Sequence, residues 1–214
     1  ALRGKGAHAA MPHNGIDPVP AACQMVQASQ NILTRNKHPL DTGVISVTKI
    51  HAGEAVNVVP DDCVVEGTVR TFTNEVLELI ERRMKTIAEA TCAAFEAQCE
   101  FEFRRQYPAT VNHVAETDFA RRVLGEVVGA KNVLDFRPTM GAEDFSYFLQ
   151  AIPGCYFLIG NGDGEHREGG HGLGPCMLHN PSYDFNDDLI PLGGSAWVRI
   201  AEAWLAGPLR GASR

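Results

Sequence analysis

The sequence predicts an α/β fold in two parts, and two observations carry that prediction. The first is a run of alternating strand and helix patterns over roughly the first hundred residues, in the order β-α-β-β-α-β. The second is a change of pattern beyond residue 112, where helices alternate with short apolar stretches too few to complete a sheet. The first order is that of the split βαβ, or ferredoxin-like, unit. Residues 1–112 are therefore expected to form one domain, and residues 113–214 the C-terminal portion of an α/β domain.

The opening residues, around 2–9, are expected to form the first strand. Asp17 followed by Pro18 is a cap-then-proline helix start, and Ala22, Met25, Val26, Ser29, Ile32 and Leu33 share one helical face across residues 17–36. Residues 43–51 and 63–72 are rich in β-branched side chains. The second stretch alternates Val65 and Val69 against Glu66, Thr68 and Arg70, so both read as strands. Thr73 or Asn74 is the candidate cap of a long helix, because Val76, Leu77, Ile80, Met84, Ile87, Ala88, Cys92 and Phe95 recur at steps of three and four. Residues 100–104, E-F-E-F-R, alternate strictly and read as the last strand of the unit. In the second half, helices are expected over 116–128, 143–150 and 189–206, with strands over 132–136 and 155–160.

Composition narrows the function. The 214 residues carry a net charge of -7 and no run of five basic residues, which argues against a nucleic-acid or anionic-membrane surface and for a small-molecule partner. Six cysteines without a C-x-x-C pair read as reduced thiols of a cytoplasmic protein. No stretch approaches the roughly 18 apolar residues of a membrane span. The chain opens without Met, straight into G-K-G-A-H, and is expected to be a fragment of a longer protein.

Chemistry-bearing residues cluster in a few motifs. His179, just before Asn180-Pro181, is free to point out of a loop as a metal ligand, but one histidine is never a metal site. By itself it reads more readily as structural. Asp184, Asp187 and Asp188 could orient it, although capping of the final helix better explains Asp187. His8 and His13 lie five apart around an extended stretch, which points them to opposite faces and argues against shared ligation. The glycine-rich residues 160–174 lack G-x-x-x-x-G-K-[ST] and run into Pro175, which excludes a phosphate loop. His166 and His171 in that loop are candidate ligands, against the commoner alternative of histidines on a mobile loop. No G-x-S-x-G is present, so a serine-hydrolase elbow is unsupported.

Five runs together resemble a known family: G-K-G-A-H-A-A-M-P-H (4–13), H-A-G-E-A-V-N-V-V-P (51–60), G-T-V-R-T-F (67–72), M-G-A-E-D-F (140–145) and L-H-N-P-S-Y-D-F-N-D (178–187). The chain is similar to the metal-dependent amidohydrolases that include aminoacylase, carboxypeptidase and hippurate hydrolase, nearest to the hippurate hydrolase branch. The resemblance implies a zinc-peptidase-like α/β catalytic domain interrupted by a ferredoxin-like lid that also makes a homodimer. It further implies two divalent metal ions (Zn, Mn, Co or Ni) and a small N-acyl amino acid as substrate. By motif position it implies that His179 is the last metal ligand and His8 the lid histidine that stabilises the oxyanion, reaching across the dimer in relatives. Asn57 and Arg70 are implied as partners of the substrate carboxylate, for which a guanidinium fork is suited. Gly141 is implied as a point of close approach to the backbone. The family's remaining ligands and its general-base glutamate lie in an N-terminal portion that this chain lacks. The parent is therefore expected to be the amidohydrolase and residues 1–214 alone to be inactive. The rival expectation is a non-enzymatic dimerisation or ligand-binding module.

Overall fold

A computed structural model describes residues 1–166 and 178–207. The chain divides into two compact units, residues 1–109 with 139–142, and residues 110–138 with 143–214.

The first unit is built on a four-stranded antiparallel sheet. Its strands are β1 (Leu2–Arg3), β3 (Gly43–His51), β5 (Asp62–Thr71) and β6 (Gln98–Cys99), in the spatial order β3-β5-β1-β6. That order, with α1 (Pro18–Asn31) after β1 and α2 (Asn74–Ala94) after β5, is the ferredoxin-like arrangement. A second ribbon pairs β2 (Ala7–His8) with β4 (Val58–Val59), so residues 2–8 run antiparallel to 58–63.

Both helix starts are capped by side chains. The Asp17 carboxylate accepts the Val19 N–H with Pro18 at the first turn, and the Thr73 hydroxyl accepts the Val76 N–H, which resolves the choice between Thr73 and Asn74. The expected helix 17–36 is not uniform. Its last turn, Ile32–Asn36, opens into a π-turn in which Lys37 N–H reaches the Ile32 carbonyl at 3.0 Å. The long helix ends where Glu96 takes φ 59° and Ala97 N–H returns to Cys92 O at 2.9 Å.

The apolar stripes read from the sequence meet the sheet in two clusters. Leu2, Ala21, Ala22, Cys63, Cys92 and Ala97 form one, and Ile32, Ile45, Val76 and Ile80 the other. Between β3 and β5 the register shifts at Val47/Lys49 as a bulge opposite Gly67. Any side chain at Gly67 would place its Cβ 2.3 Å from the Ser46 carbonyl oxygen, so only glycine lets the strands close there.

The last strand differs from expectation. Pairing with β1 covers Gln98 and Cys99 and ends at Glu100, which exchanges backbone bonds with Ala1. The Phe101 and Phe103 rings stack, but among the described residues no strand pairs with residues 101–104, so alternation alone makes no ladder.

The second unit contains α3 (Val114–Val128), α4 (Phe145–Ala151) and α5 (Leu189–Leu205). Phe119, Ala120 and Val123 of α3 pack toward α5, where the Phe119 and Trp204 rings meet edge to face at 5.2 Å. Neither expected strand of this half forms among the described residues. Residues 130–132 make a 3-10 turn, with Leu134 and Phe136 exposed beyond it. At residues 155–160 the strand's place is partly taken by a side chain: Asn112 accepts Tyr156 N–H and donates to Tyr156 O, both at 2.8 Å. The final helix also begins differently. Asp188 occupies the cap position without a side-chain bond, and Asn186 Oδ1 accepts the Asp188 N–H at 3.1 Å.

Two stability measurements follow from the first unit's core. Ile80 is fully buried between helix and sheet, and Ile80→Ala is expected to cost about 3–4 kcal/mol in denaturant unfolding. Burial, and secondarily Cys99 beside it, pushes the Cys92 thiol up to about 11. Its protonated form is favoured by folding, so this contribution is intact at neutral pH. It is lost as pH rises from about 9, the ordinary thiol value, through about 11. The urea midpoint should fall over that window, and fall less in Cys92→Ala.

Candidate active site

The β2–β4 ribbon brings two of the five candidate residues together. His8 lies directly opposite Val58, and Ala9 N–H donates to the Asn57 carbonyl at 3.0 Å, so His8 and Asn57 are neighbours across the two chains. Both are exposed. The ribbon is pinned by its glycines and by Asp61. Gly6 N–H donates to Asp61 Oδ1 at 2.7 Å, Gly4 N–H donates to Asp61 O at 2.7 Å, and a Cβ on Gly4 would meet Ile16 O at 2.1 Å.

The orientation of the His8 ring is chemically specific. Ala10 N–H donates to His8 Nδ1 at 3.1 Å, so in the neutral ring Nδ1 is the acceptor and the proton sits on Nε2. The other ring nitrogen, Nε2, is then a hydrogen-bond donor. It suits an oxygen that gains negative charge during a reaction.

Arg70 stands apart from this pair. It lies near the far end of β5, opposite Val44, while the ribbon that holds His8 joins the strand's beginning at Asp61 and Asp62. Eight residue steps separate Asp62 from Arg70 along β5, about 26 Å of extended chain. The half-buried guanidinium spends one N–H on the Val69 carbonyl at 3.0 Å and forms no ion pair among the described residues. By contrast, Arg3, Arg104, Arg105, Arg121 and Arg199 all pair with carboxylates. Its remaining donors are available to an anionic ligand.

Gly141 is exposed, and a Cβ there would meet only Thr139 Oγ1 at 3.6 Å, an ordinary contact. Local packing therefore does not demand glycine at this position. Just after it, Ser146 is fully buried and its hydroxyl donates to the Glu143 carbonyl at 2.6 Å, tying the start of α4 to that turn. Burial, with Glu143 hydrogen-bonded to the phenol, raises the Tyr156 pKa.

His179 lies in the second unit, exposed, with φ 74°. Positive φ is uncommon for a side-chain-bearing residue and costs energy that the surrounding chain must offset. The segment after it is held by another asparagine, Asn161, whose amide donates to Asp184 O at 2.8 Å and accepts Asn186 N–H at 2.9 Å. The His166 ring also contacts the Asp184 carbonyl, at 3.1 Å through Nε2. His171 lies outside the described residues. Among those residues no group of three or more His, Cys, Asp or Glu side chains could hold a metal ion, so His179 finds no assembled co-ligands here.

Sequence reasoning missed three asparagines, Asn112, Asn161 and Asn186, that organise the second unit. No local pattern flags Asn112 and Asn161, because each bonds a backbone group that only the fold brings near, whereas Asn186 bonds the Asp188 N–H two residues on, a contact that local sequence allows. Five described cysteines are free thiols, and no described helix is long and apolar enough to cross a membrane.

Comparison with known proteins adds to this geometry. Residues 2–96 match the family model of the peptidase dimerisation domain, M20 type. The chain is 39% identical over 189 residues to the N-acetyl-L-cysteine deacetylase of Bacillus subtilis, covering 88% of this chain and 42% of that protein. It is 33% identical over 208 residues to the IAA-amino acid hydrolase ILR1-like 4 of Arabidopsis thaliana, covering 95% and 46%. Its fold matches a crystal structure of a dinuclear metal-binding M20 peptidase from Bacillus subtilis with a TM-score of 0.65 and 24% identity, over 96% of this chain and 49% of that one. The chain thus spans just under half the length of these relatives.

The ring assignment of His8 is open to direct measurement. In nitrogen-15 NMR at alkaline pH, His8 should report the tautomer protonated on Nε2, and a ring protonated on Nδ1 would contradict the Ala10 contact.

Proposed function

We propose, from the chain's membership of the M20 family of amidohydrolases and peptidases, that it is the lid and C-terminal catalytic segment of an enzyme hydrolysing the amide bond of N-acyl amino acids, hippurate-like substrates among them. The lid is taken as residues 1–112 and the catalytic segment as 113–214. The observation that carries the reading is the exposed His8, whose Nδ1 is engaged by the Ala10 N–H so that Nε2 carries the proton, on a ribbon whose next residue bonds the Asn57 carbonyl. Two of the relatives are named for removing an acyl group from an amino acid or for hydrolysing an amino acid conjugate, which supports the substrate class. The free thiols of the described cysteines support a cytoplasmic setting.

In this reading each side chain has one task. The His8 Nε2–H donates to the scissile carbonyl oxygen and holds the charge that develops there as the carbonyl becomes tetrahedral. The Asn57 amide and the Arg70 guanidinium take the substrate carboxylate, the latter through a two-toothed contact that a lysine could not reproduce. Gly141 leaves its backbone open to close approach.

One copy of the chain does not bring Arg70 to His8. The roughly 26 Å of strand between Asp62, where the ribbon joins β5, and Arg70 exceeds the length of an acyl amino acid, so a complete site takes Arg70 from one copy and His8 with its neighbour Asn57 from the other. A homodimer through the lid supplies this, and β3 offers the means: its nine residues pair with β5 on one side only, and Val44 and Ile50 are exposed on it.

A pair of divalent ions (Zn, Mn, Co or Ni) supplies the activated water in such chemistry. The described residues do not make that site by themselves, since His179 is without co-ligands among them. His179 is proposed as this chain's contribution to it, and residues 1–214 alone are proposed to bind metal weakly and turn over no substrate.

In the complete enzyme, His179→Ala should abolish metal-dependent release of amino acid from a hippurate-type substrate. His8→Ala should lower kcat by about 100-fold or more while metal content stays unchanged. Full activity in His179→Ala, or a His8→Ala defect confined to dimerisation, would contradict these roles.

A further inference from the structure

The chain changes sides between Leu2 and His8. An even number of steps separates them, so on an unbroken strand the two side chains would share one face. Yet Leu2 is buried in the core and His8 is exposed, and it is Ala7, one step earlier, that lies opposite the buried Val59. The pairings account for the change. Arg3 stands opposite Asp62 and Ala7 opposite Val59, so Gly4, Lys5 and Gly6 together face only Pro60 and Asp61. The extra residue is a bulge, and it turns the imidazole away from the face that Leu2 occupies.

A bulge leaves backbone groups without ladder partners. Lys5 spends both of its own on Ile16, donating and accepting at 2.9 Å, and Pro60 has no N–H to offer. Gly4 N–H takes the Asp61 carbonyl at 2.7 Å, and Gly6 N–H donates to the Asp61 side chain, to Oδ1 at 2.7 Å. One residue thus receives both flanks of the bulge. The carboxylate comes this close only because Gly6 has no side chain: a Cβ there would lie 3.1 Å from Oδ1 and 3.3 Å from Cγ.

We infer that Asp61 is a positioning residue for catalysis, which fixes the bulge through Gly6 and with it the face on which His8 presents its Nε2–H. The inference rests on His8 being the oxyanion donor. Without the Oδ1 contact the Gly6 N–H loses its partner, residues 4–6 are free to shift against 60–61, and His8 moves with them. A misplacement of about 1 Å is enough to cost about 100-fold in rate. The contact calls for an oxygen acceptor at one point and not for a charge. Asparagine can supply that acceptor, whereas glutamate, one methylene longer, carries its oxygen past the place where Gly6 N–H needs it.

The test measures kcat and KM of the complete metal-loaded enzyme for Asp61→Ala, Asp61→Asn and Asp61→Glu, and repeats the alanine and glutamate changes in a His8→Ala background. Asp61→Ala is expected to lower kcat about 10- to 100-fold with KM within about threefold of the parent, and Asp61→Glu to lower kcat about 10-fold. Asp61→Asn should stay within about threefold of the parent in both constants. In the His8→Ala background the further loss should shrink to about twofold or less, because a residue that acts through His8 then has nothing left to place. If Asp61→Ala does not fold, the contrast between asparagine and glutamate decides by itself. Asp61→Glu as active as Asp61→Asn, or a loss that persists undiminished without His8, overturns the positioning role. A His8→Ala enzyme as active as the parent overturns instead the oxyanion assignment beneath it.

Discussion

The antiparallel run of residues 1–9 against 57–63 is the constraint on which the first unit depends. It closes the sheet through Leu2 opposite Cys63, and Leu2 is among the most deeply buried side chains of the core. A few residues later the same run becomes the β2–β4 ribbon and sets His8 beside Asn57. Core and site are thereby one register. Side chains alternate with period two along such a run, so a slip of one residue would turn Leu2 out of the core and His8 away from its partner together. Gly4 and Gly6 hold it against Ile16 and Asp61, where the Ile16 carbonyl excludes a side chain at Gly4 outright.

The length of β5 has the opposite effect. Ten residues of strand give the helices a sheet long enough to bury both apolar clusters, and they also hold Arg70 far from His8. Stability of the unit and separation of its polar groups come from the same element. That separation is why the proposed reaction needs two copies of the chain, and why β3, the edge strand beside β5, matters beyond its contribution to the core.

The second unit is organised by another device. Where a sheet would supply neighbouring strands, side-chain amides supply the hydrogen bonds: Asn112 serves both backbone groups of Tyr156, and Asn161 bridges Asp184 and Asn186. Buried backbone groups demand partners, and an amide with both a donor and an acceptor meets a strand's needs at one residue. His179 sits in the left-handed region just before the second of these clamps.

Much of the first unit was legible in the sequence. Periods of two and of three to four residues located β3, β5 and both helices, and Asp17 and Thr73 marked the helix starts, because these signals depend only on neighbours along the chain. The strands expected at 100–104, 132–136 and 155–160 failed because alternation states a preference, whereas a strand exists only where another lies beside it to bond. The candidate residues themselves came from motifs and their resemblance to a family. Their grouping did not: that the chain at His8 meets Asn57, that Arg70 stands about 26 Å of strand from Asp62 and that Val58 lies opposite His8 were decided by pairing register. Sequence alone determined which residue types were present, which faces were apolar and where helices began. Only the tertiary structure decided which polar groups share a site, because hydrogen bonds between distant strands place residues that no local interaction relates.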